Sequence, residues 1–400
     1  PRTQWVAGLP GGLVAPLPAG SVLGIPENAF AAEVLRILGW RGAWRAYFDR
    51  VRPVLTIGTE RRGGRRGRAR VGAVVRGRLG ARVTRGVYAI DPDDVDVDLA
   101  APGLNAALTR TGSLSGGVVQ LGESRDDTES AIVGIRGGMT RLIDAFTARL
   151  IELGAQVQLE TEATALERGV VEAAPGAGWN VHIAATTEPD EAGDNSDNID
   201  DNTDGAGEGA TAPLEPLHAD FVIVATEEAP ARALLGARLR GAQVRPTTHI
   251  EVVTLVLDDA GLDSAPHGPE VFAVAGTPGA TTVTHESAVW PSLAERLRAE
   301  APHRHLVRVS FGVAGESPAT AGLDDGEATA LALAAASTML GVPLASDAIV
   351  ESHRERFVQA RPAVAIGRRD EAAAVRAALA SEPGLVAIGA WLAGSGLAQV

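Results

Sequence analysis

The sequence predicts a mixed α/β fold with α+β elements, and three observations carry that expectation. Hydrophobic residues make up 45% of the chain while aromatics are only 4%, so Ala, Val, Leu and Ile must build most of the core, which suits helices packed on sheets. From Gly137 onward, stretches with helical spacing of apolar residues alternate with stretches of strand character. Between His249 and Val313 a series of β-rich segments is separated by turn residues, which predicts a second sheet, antiparallel. A length of 400 residues allows about two or three domains.

The order of elements follows from local pattern. Nine Gly and Pro residues from Gly8 to Pro26 predict an irregular lead-in over 1–27 with a short hairpin. Phe30, Val34, Ile37 and Leu38, then Trp40, Trp44 and Phe48, recur at helical spacing and predict two short helices broken at Gly39. The arginine-rich stretch that follows is expected to be a solvated loop, with two or three further helices between Gly72 and Gly122 around the acidic turn Asp91–Asp98.

After Gly137-Gly138, Leu142, Phe146 and Leu150 mark one face of a helix over Met139–Leu153 that stops at Gly154. Gln156–Glu160 alternates as a half-buried strand, and Trp179–Ile183 is a second strand. Residues 186–217 hold acids, Asn and Gly with too little apolar surface to fold, and are expected to be disordered. Phe221–Ala225 reads as a strand covered on both faces, followed by a short helix over Arg232–Leu239. The chain then passes through the β-rich block to a helix over Ala328–Leu340, stopped by Gly341 and Pro343. A strand near Ala348–Ser352, a helix near Glu371–Ala380 and a strand Leu385–Gly389 complete the pattern. The expected domains are the lead-in 1–27, a helical domain 28–130, a segment 131–240, a sheet domain 241–375 and a C-terminal segment 376–400.

Composition closes several function classes. The absence of cysteine excludes disulfides, thiolate metal sites and thiol nucleophiles, and fits a reducing compartment. All 36 basic residues are arginine, so neither a Schiff-base lysine nor a P-loop lysine exists. Ten of the acids that give the net charge of −14 lie between Glu188 and Glu215, and ten arginines lie between Arg61 and Arg85 with no acid among them. One basic pole on so acidic a chain does not make a nucleic-acid binder, although local anion binding stays open. His182, His303 and His305 show no ligand spacing with a carboxylate, so no metal is expected. Gly112-Ser113-Leu114-Ser115-Gly116 lacks the preceding strand of a nucleophile elbow.

The strongest local signal is Gly389-Ala390-Trp391-Leu392-Ala393-Gly394-Ser395-Gly396-Leu397-Ala398, a strand running into a Gly-rich turn that opens a helix. Such a turn lets a ligand approach the backbone, and a helix cap or close helix–sheet contact explains the same glycines. No GxGxxG in Rossmann context occurs anywhere in the chain.

Six segments in order are Leu17-Pro18-Ala19-Gly20, Arg85–Ala89, Ile135–Met139, Val222–Thr226, Thr284–Pro291 and Gly389–Ala398. In this order the chain resembles the protoporphyrinogen and coproporphyrinogen III oxidases, FAD enzymes of the amine-oxidase superfamily. The resemblance implies a partial Rossmann-like FAD domain lacking its first βαβ unit, over 131–240 and 376–400. It also implies an antiparallel-sheet substrate domain and a helical domain facing the pocket or a membrane. It implies an N-terminally truncated chain, since members begin with the βαβ unit whose GxGxxG receives the pyrophosphate.

In the resemblance, Trp391, Gly394, Ser395, Gly396 and Leu397 match the stretch along the flavin, and Ala163 matches a backbone contact to the adenine side. Arg2 matches the arginine that pairs with a substrate propionate, as a bidentate guanidinium suits. Gly117, with Gly116 as the competing alignment, falls near the macrocycle, and His285 near the pocket wall. A structural hydrogen bond at a strand end explains His285 equally.

The implied activity is oxygen-dependent oxidation of a porphyrinogen in haem biosynthesis, by hydride transfer to FAD with peroxide formation. Coproporphyrinogen III is favoured because four propionates need more arginine than two. The implied partners are the porphyrinogen and molecular oxygen, without nucleic acid, in a cytoplasmic protein compatible with a homodimer and with peripheral contact at the inner face of the cell membrane. The alternatives are an inactive flavin-free fragment, or another superfamily member such as a carotenoid desaturase or amine oxidase.

Deleting Asp190–Glu208 is expected to leave the melting temperature and any activity unchanged, because so apolar-poor a segment buries little. A large fall in melting temperature on deletion would show that it packs.

Overall fold

The computed structural model describes residues 3–9, 11–51, 76–123, 134–171, 174–186, 211–239, 248–273, 279–359 and 363–394. Arg2, Ser395, Gly396, Leu397, the stretch 52–75 and residues 187–210 of the acidic segment lie outside them. In chain order the first strands and helices are β1 Gln4–Leu9, β2 Leu13–Pro16, α1 Ala32–Tyr47, α2 Ala81–Tyr88, α3 Val97–Ala100, α4 Leu104–Thr111 and α5 Leu114–Glu123. Then come α6 Thr140–Glu152, β3 Thr161–Val171, β4 Ala174–Thr186, β5 Thr211–Pro213, β6 Leu217–Ala219, β7 Val222–Val224, α7 Glu228–Leu235, β8 Thr248–Asp258, β9 Glu270–Ala273 and β10 Ala280–His285. The last are α8 Glu286–Val289, α9 Pro291–Glu300, β11 Arg304–Phe311, α10 Asp325–Leu340, β12 Ile349–Gln359, α11 Arg368–Leu379, β13 Leu385–Ala387 and α12 Ala390–Ala393. The chain divides into two units, 1–138 with 244–369, and 139–243 with 370–400.

The first unit is organised by a seven-stranded sheet in the order β12-β8-β11-β10-β9-β1-β2. β8 alternates buried and less buried residues, placing Val253, Leu255 and Leu257 on one inward face, and Val307, Val309 and Phe311 of β11 join them. Ala328, Ala332, Ala335 and Ala336 of α10 pack in the same cluster; their small side chains let the helix approach the strands closely. Asp324 and Glu327 form a reciprocal cap at the start of α10. The helix ends at Gly341, whose φ is +70° and whose missing Cβ would stand 2.4 Å from the ring of His267, so glycine meets both demands.

The lead-in is more ordered than its Gly and Pro content predicts. β1 and β2 form the hairpin, and β1 also joins the large sheet, parallel to β9 with Trp5 opposite Val271. Six residues cannot reveal a partner more than 260 positions away, which is why this pairing is silent in the sequence. The helices of residues 28–130 pack in this same unit: Val34, Ile37 and Leu38 of α1 share a cluster with Val6, Leu108 and Phe272. Gly39 interrupts α1 with φ +69° and ψ 171°, the break its position predicts. A Cβ at Gly86 in α2 would come within 2.2 Å of the Phe272 ring, so glycine allows the close contact between α2 and β9.

The second unit contains an antiparallel sheet of β3 and β4 extended by β5 and β6, and a parallel pair of β7 and β13. Gln156–Glu160, expected as a strand, has no ladder; the strand begins at Thr161, after Glu160 turns the chain at φ +52°. Alternation alone cannot choose between five residues and their neighbours, and pairing with β4 decides. Both ends of the expected disordered insert are structured too: Thr186 closes β4, and β5 and β6 pair with β4. β7 was expected to be covered on both faces, yet Ile223 is 65% exposed and Phe221, just before it, 78% exposed. Only Val224 of the strand is buried, because alternate side chains leave opposite faces of the sheet. The core of this unit centres on Trp179, whose ring lies under the guanidinium groups of Arg168 at 4.0 Å and Arg238 at 5.0 Å. Its indole Nε1 donates to the Pro383 carbonyl at 3.2 Å, fixing the turn that leads into β13.

Arg354, 3% exposed, makes the polar lock of the first unit. Its guanidinium bonds Glu251 of β8 at 2.6 Å and donates to the carbonyls of Thr320 and Leu323, just ahead of α10. Burial raises the proton affinity of Glu251, but the Thr320 hydroxyl, then the bond and charge of Arg354 and the charge of Arg356, outweigh it and hold the carboxyl below its ordinary value. Arg354→Met is expected to cost about 3–5 kcal/mol by stranding the Glu251 carboxylate, and Glu251→Leu in the same chain to restore most of it. Urea denaturation checks both, and equal stability of the single and double variants would contradict the lock.

Candidate functional site

In the second unit, β7 and β13 run parallel, with Val224 opposite Ala387, so their carboxyl ends stand side by side. Ligands of open parallel sheets gather at that edge. There the chain turns through Gly389 into α12 and leaves through Gly394. Gly389 has φ +128° and Gly394 φ +108°, conformations that favour glycine, and a Cβ at Gly389 would also press on Trp391 at 3.2 Å. The opening amides of a helix have no intrahelical acceptor, and the amide of Ala390 stands at this edge. The turn is braced from behind. Arg376 donates to the Leu392 carbonyl at 2.8 Å, and Arg232, paired with Glu228 at 2.8 Å, lies 5.7 Å over the Trp391 ring.

Trp391 is therefore a buried brace of the turn, and Gly394 its exit, while the expected continuation through Ser395, Gly396 and Leu397 falls outside the described residues. Ala163 lies within the β3 ladder, paired with Ile183, rather than at a turn, since the strand starts later than the alternation implies. Its sheet is a different one from the β7–β13 pair that leads to Trp391 and Gly394.

In the first unit, Gly117 is buried in α5 where that helix meets α4; a Cβ there would stand 3.2 Å from the Leu108 nitrogen. That contact makes it a helix-packing residue, and its neighbour Gly116 is the one that lines an open cleft. Arg2 falls outside the described residues.

His285 closes β10 and is 1% exposed, so the structure sets it in the core and not on a pocket wall. Its Nε2 stands 3.1 Å from Nδ1 of His305, and His305 Nε2 stands 3.0 Å from Asp263 Oδ1. With the Asp263 carboxylate accepting, His305 donates through Nε2 and accepts at Nδ1 from His285 Nε2–H, an assignment that follows from the network. The Ser287 hydroxyl also reaches His305 Nδ1, at 3.3 Å, while accepting from the Leu306 amide. His285 Nδ1 has no hydrogen-bond partner. Protonation would place a buried N–H on that bare nitrogen. Burial first, then the charges of His305 and Arg298, push the His285 pKa down to about 4. The Asp263 carboxyl is held below its ordinary value, first by the hydrogen bond from His305.

Sequence reasoning misses this chain of groups because it depends on β10 pairing with β11, which histidine spacing does not show. The strand pattern of β11 carried the available signal, since alternation turns His305 inward.

The model of the family described as flavin containing amine oxidoreductase matches residues 12–397, and the chain belongs to that family. Its cofactor is FAD. A protein from Exiguobacterium sp. 255-15, named provisionally as a protoporphyrinogen oxidase, shares the fold with a TM-score of 0.72 at 20% identity, over 99% of this chain and 77% of that one. Reduced UDP-galactopyranose mutase aligns with a TM-score of 0.60 at 13% identity, over 98% and 73%. Putrescine oxidase bound to putrescine gives 0.52 at 13%, over 99% and 77%. A search of curated proteins gives no match. The Gly389–Gly394 turn at the carboxyl edge of parallel strands fits the ring side of a dinucleotide, whereas the phosphate fingerprint GxGxxG is not among the 400 residues. Purified as this chain alone, the protein is accordingly expected to retain FAD weakly, and stoichiometric flavin after gel filtration would contradict that.

The lowered pKa of His285 makes stability pH-dependent. A histidine whose folded pKa lies below its unfolded value of about 6.5 favours folding fully above pH 6.5. That contribution falls as the pH drops toward 4, by about 3 kcal/mol over the window. His285→Gln, which keeps a donor toward His305, is expected to flatten this part of the stability profile in denaturation titrations between pH 7 and about 4. An unchanged acid slope in the variant would assign the loss to other groups.

Proposed function

We propose that this protein oxidises a porphyrinogen to the porphyrin in haem biosynthesis, using oxygen as the terminal acceptor, with coproporphyrinogen III favoured over protoporphyrinogen IX. The observation that carries the reading is the order of six family segments along the chain, from Leu17–Gly20 to Gly389–Ala398. Membership in the flavin-containing family and the fold shared with the Exiguobacterium protein support it.

FAD, when bound, supplies a two-electron acceptor, which is why no side-chain base is needed. The residues of this chain position and solvate. Trp391, Gly394, Ser395, Gly396 and Leu397 would hold the flavin side of the cofactor, and Ala163 the adenine side. Arg2 pairs with a propionate of the substrate, where a guanidinium offers two parallel bonds. His285 acts only indirectly, by holding the β10 end and α8 against β11.

A peripheral contact with the inner face of the cell membrane is part of the same reading. Trp40, Trp44, Phe48 and Val51 are exposed on and after α1, and Phe30 packs against Trp44 at 5.1 Å and Tyr47 at 5.3 Å. Exposed Arg36, Arg41 and Arg45 share this helix. Aromatic rings and arginines together suit the headgroup region.

Side-by-side assays with the FAD-loaded protein, each porphyrinogen added from an anaerobic stock to oxygen-containing buffer, are expected to give faster turnover of coproporphyrinogen III, and Arg2→Ala to lower its kcat/KM by roughly tenfold, more than for protoporphyrinogen IX. Equal or better turnover of protoporphyrinogen IX would overturn the substrate assignment. Turnover of neither would overturn the porphyrinogen reading.

A further inference from the structure

We propose that the cleft between α4 and α5 is an anion subsite, built to take the carboxylate or phosphate group of a larger ligand. The cleft holds about 610 Å³ and is lined by Arg50, Arg110, Ser113, Gly116, Gln120 and Glu123 among others. That is within the size range of small-molecule sites.

The polar groups around it are unequally spent. Arg50 donates through Nε to the Ser115 hydroxyl at 3.4 Å, and its guanidinium lies 6.0 Å over the Tyr47 ring. Arg110 donates through Nε to Gln120 Oε1 at 3.3 Å. Each bond orients a guanidinium by its inner nitrogen and leaves the outer fork of two NH₂ groups open. Neither arginine forms an ion pair among the described residues, whereas Arg85, Arg168, Arg232, Arg304 and Arg354 all do. The bond from Arg110 fixes the Gln120 amide with its NH₂ as a further donor.

The acceptors and hydroxyls are already engaged. Thr111 Oγ1 donates to the Ala107 carbonyl at 2.9 Å, and Ser113 Oγ accepts from the Gly116 amide at 3.0 Å. Buried Asp49 accepts from the Leu114 amide. Glu123, at the exposed end of α5, is the one acid in the lining. Two open guanidinium forks and one amide against a single carboxylate ask for an acceptor-rich anion, and fork geometry matches carboxylate and phosphate. Glycine at 116 lets this turn of α5 pack on Ser113 and Thr111, since a Cβ there would stand 2.8 Å from Ser113 Oγ and 2.9 Å from Thr111 Cβ.

Two sources share this chemistry. One is a propionate of a porphyrin-like ligand, which rests on the reading proposed above. The other is a lipid headgroup phosphate, since Tyr47 and Phe48 of the exposed aromatic ridge lie three and two residues before Arg50 in the chain.

The test uses the 400-residue chain and three probes: coproporphyrin III followed by fluorescence titration, its uncharged tetramethyl ester, and vesicles of phosphatidylcholine with phosphatidylglycerol followed by co-sedimentation. Arg50→Gln with Arg110→Gln is expected to weaken coproporphyrin III binding roughly tenfold or more while leaving the ester unchanged. Glu123→Gln is expected to act in the opposite direction, tightening binding about threefold by removing the competing carboxylate, and it stands even if the double variant folds poorly. Loss of vesicle binding with unchanged porphyrin affinity would also support the subsite, with lipid phosphate as its ligand and no bearing on the porphyrinogen reading. Unchanged affinity for both anionic probes in both variants would overturn the subsite itself.

Discussion

The first unit depends on one constraint: a seven-stranded sheet must bury a face, and it does so beneath α10. Ala328, Ala332, Ala335 and Ala336 bring that helix close to Val253, Leu255, Val307 and Phe311, where alkyl contact replaces the aromatic bulk the chain lacks. Other features serve the same contact. The cap at Asp324 starts the helix, Gly341 ends it against His267, and Arg354 ties its approach to β8 and β12. An arginine held there by Glu251 and two carbonyls leaves little freedom in how the preceding loop enters the helix.

The same sheet carries the helical segment on α1 and α2. Gly86 admits the Phe272 ring, and Arg85 beside it is bound to Asp91 at 2.9 Å and Glu316 at 2.6 Å. The Arg85-Gly86 pair thus has a structural use in the fold: Gly86 allows the helix to touch the sheet and Arg85 holds its end. The cluster of His285, His305, Asp263 and Ser287 works likewise, joining β10, α8, β11 and the Asp263 turn through hydrogen bonds around a buried His285 ring that resists protonation.

In the second unit the emphasis moves from burial to display. β7 and β13 present their carboxyl ends, and the Gly389–Gly394 turn presents the Ala390 amide, while Arg232, Arg376 and Trp391 keep the turn in place from the protein side. Cofactor chemistry of this family asks for such a rigid backbone surface more than for reactive side chains. The open donors of Arg50 and Arg110 contrast with the paired arginines elsewhere, and that difference in pairing separates arginine used for folding from arginine left for a ligand.

The sequence by itself determined the local elements whose signals are short-ranged. The break at Gly39, the helix ending at Gly154, the stop at Gly341 and the strand–turn–helix at Gly389 are all legible, because glycine placement and apolar spacing act within a few residues. Tertiary structure decided what needs a distant partner. The pairing of β1 with β9 turned a lead-in into part of the main sheet, and the start of β3 at Thr161 was set by β4. His285 met His305 only because β10 and β11 lie side by side, with His285 opposite Val307. Gly116 and Gly117 show the limit most simply: adjacent in sequence and equally eligible, one lines a cleft and the other packs helices, since successive helix positions point about 100° apart.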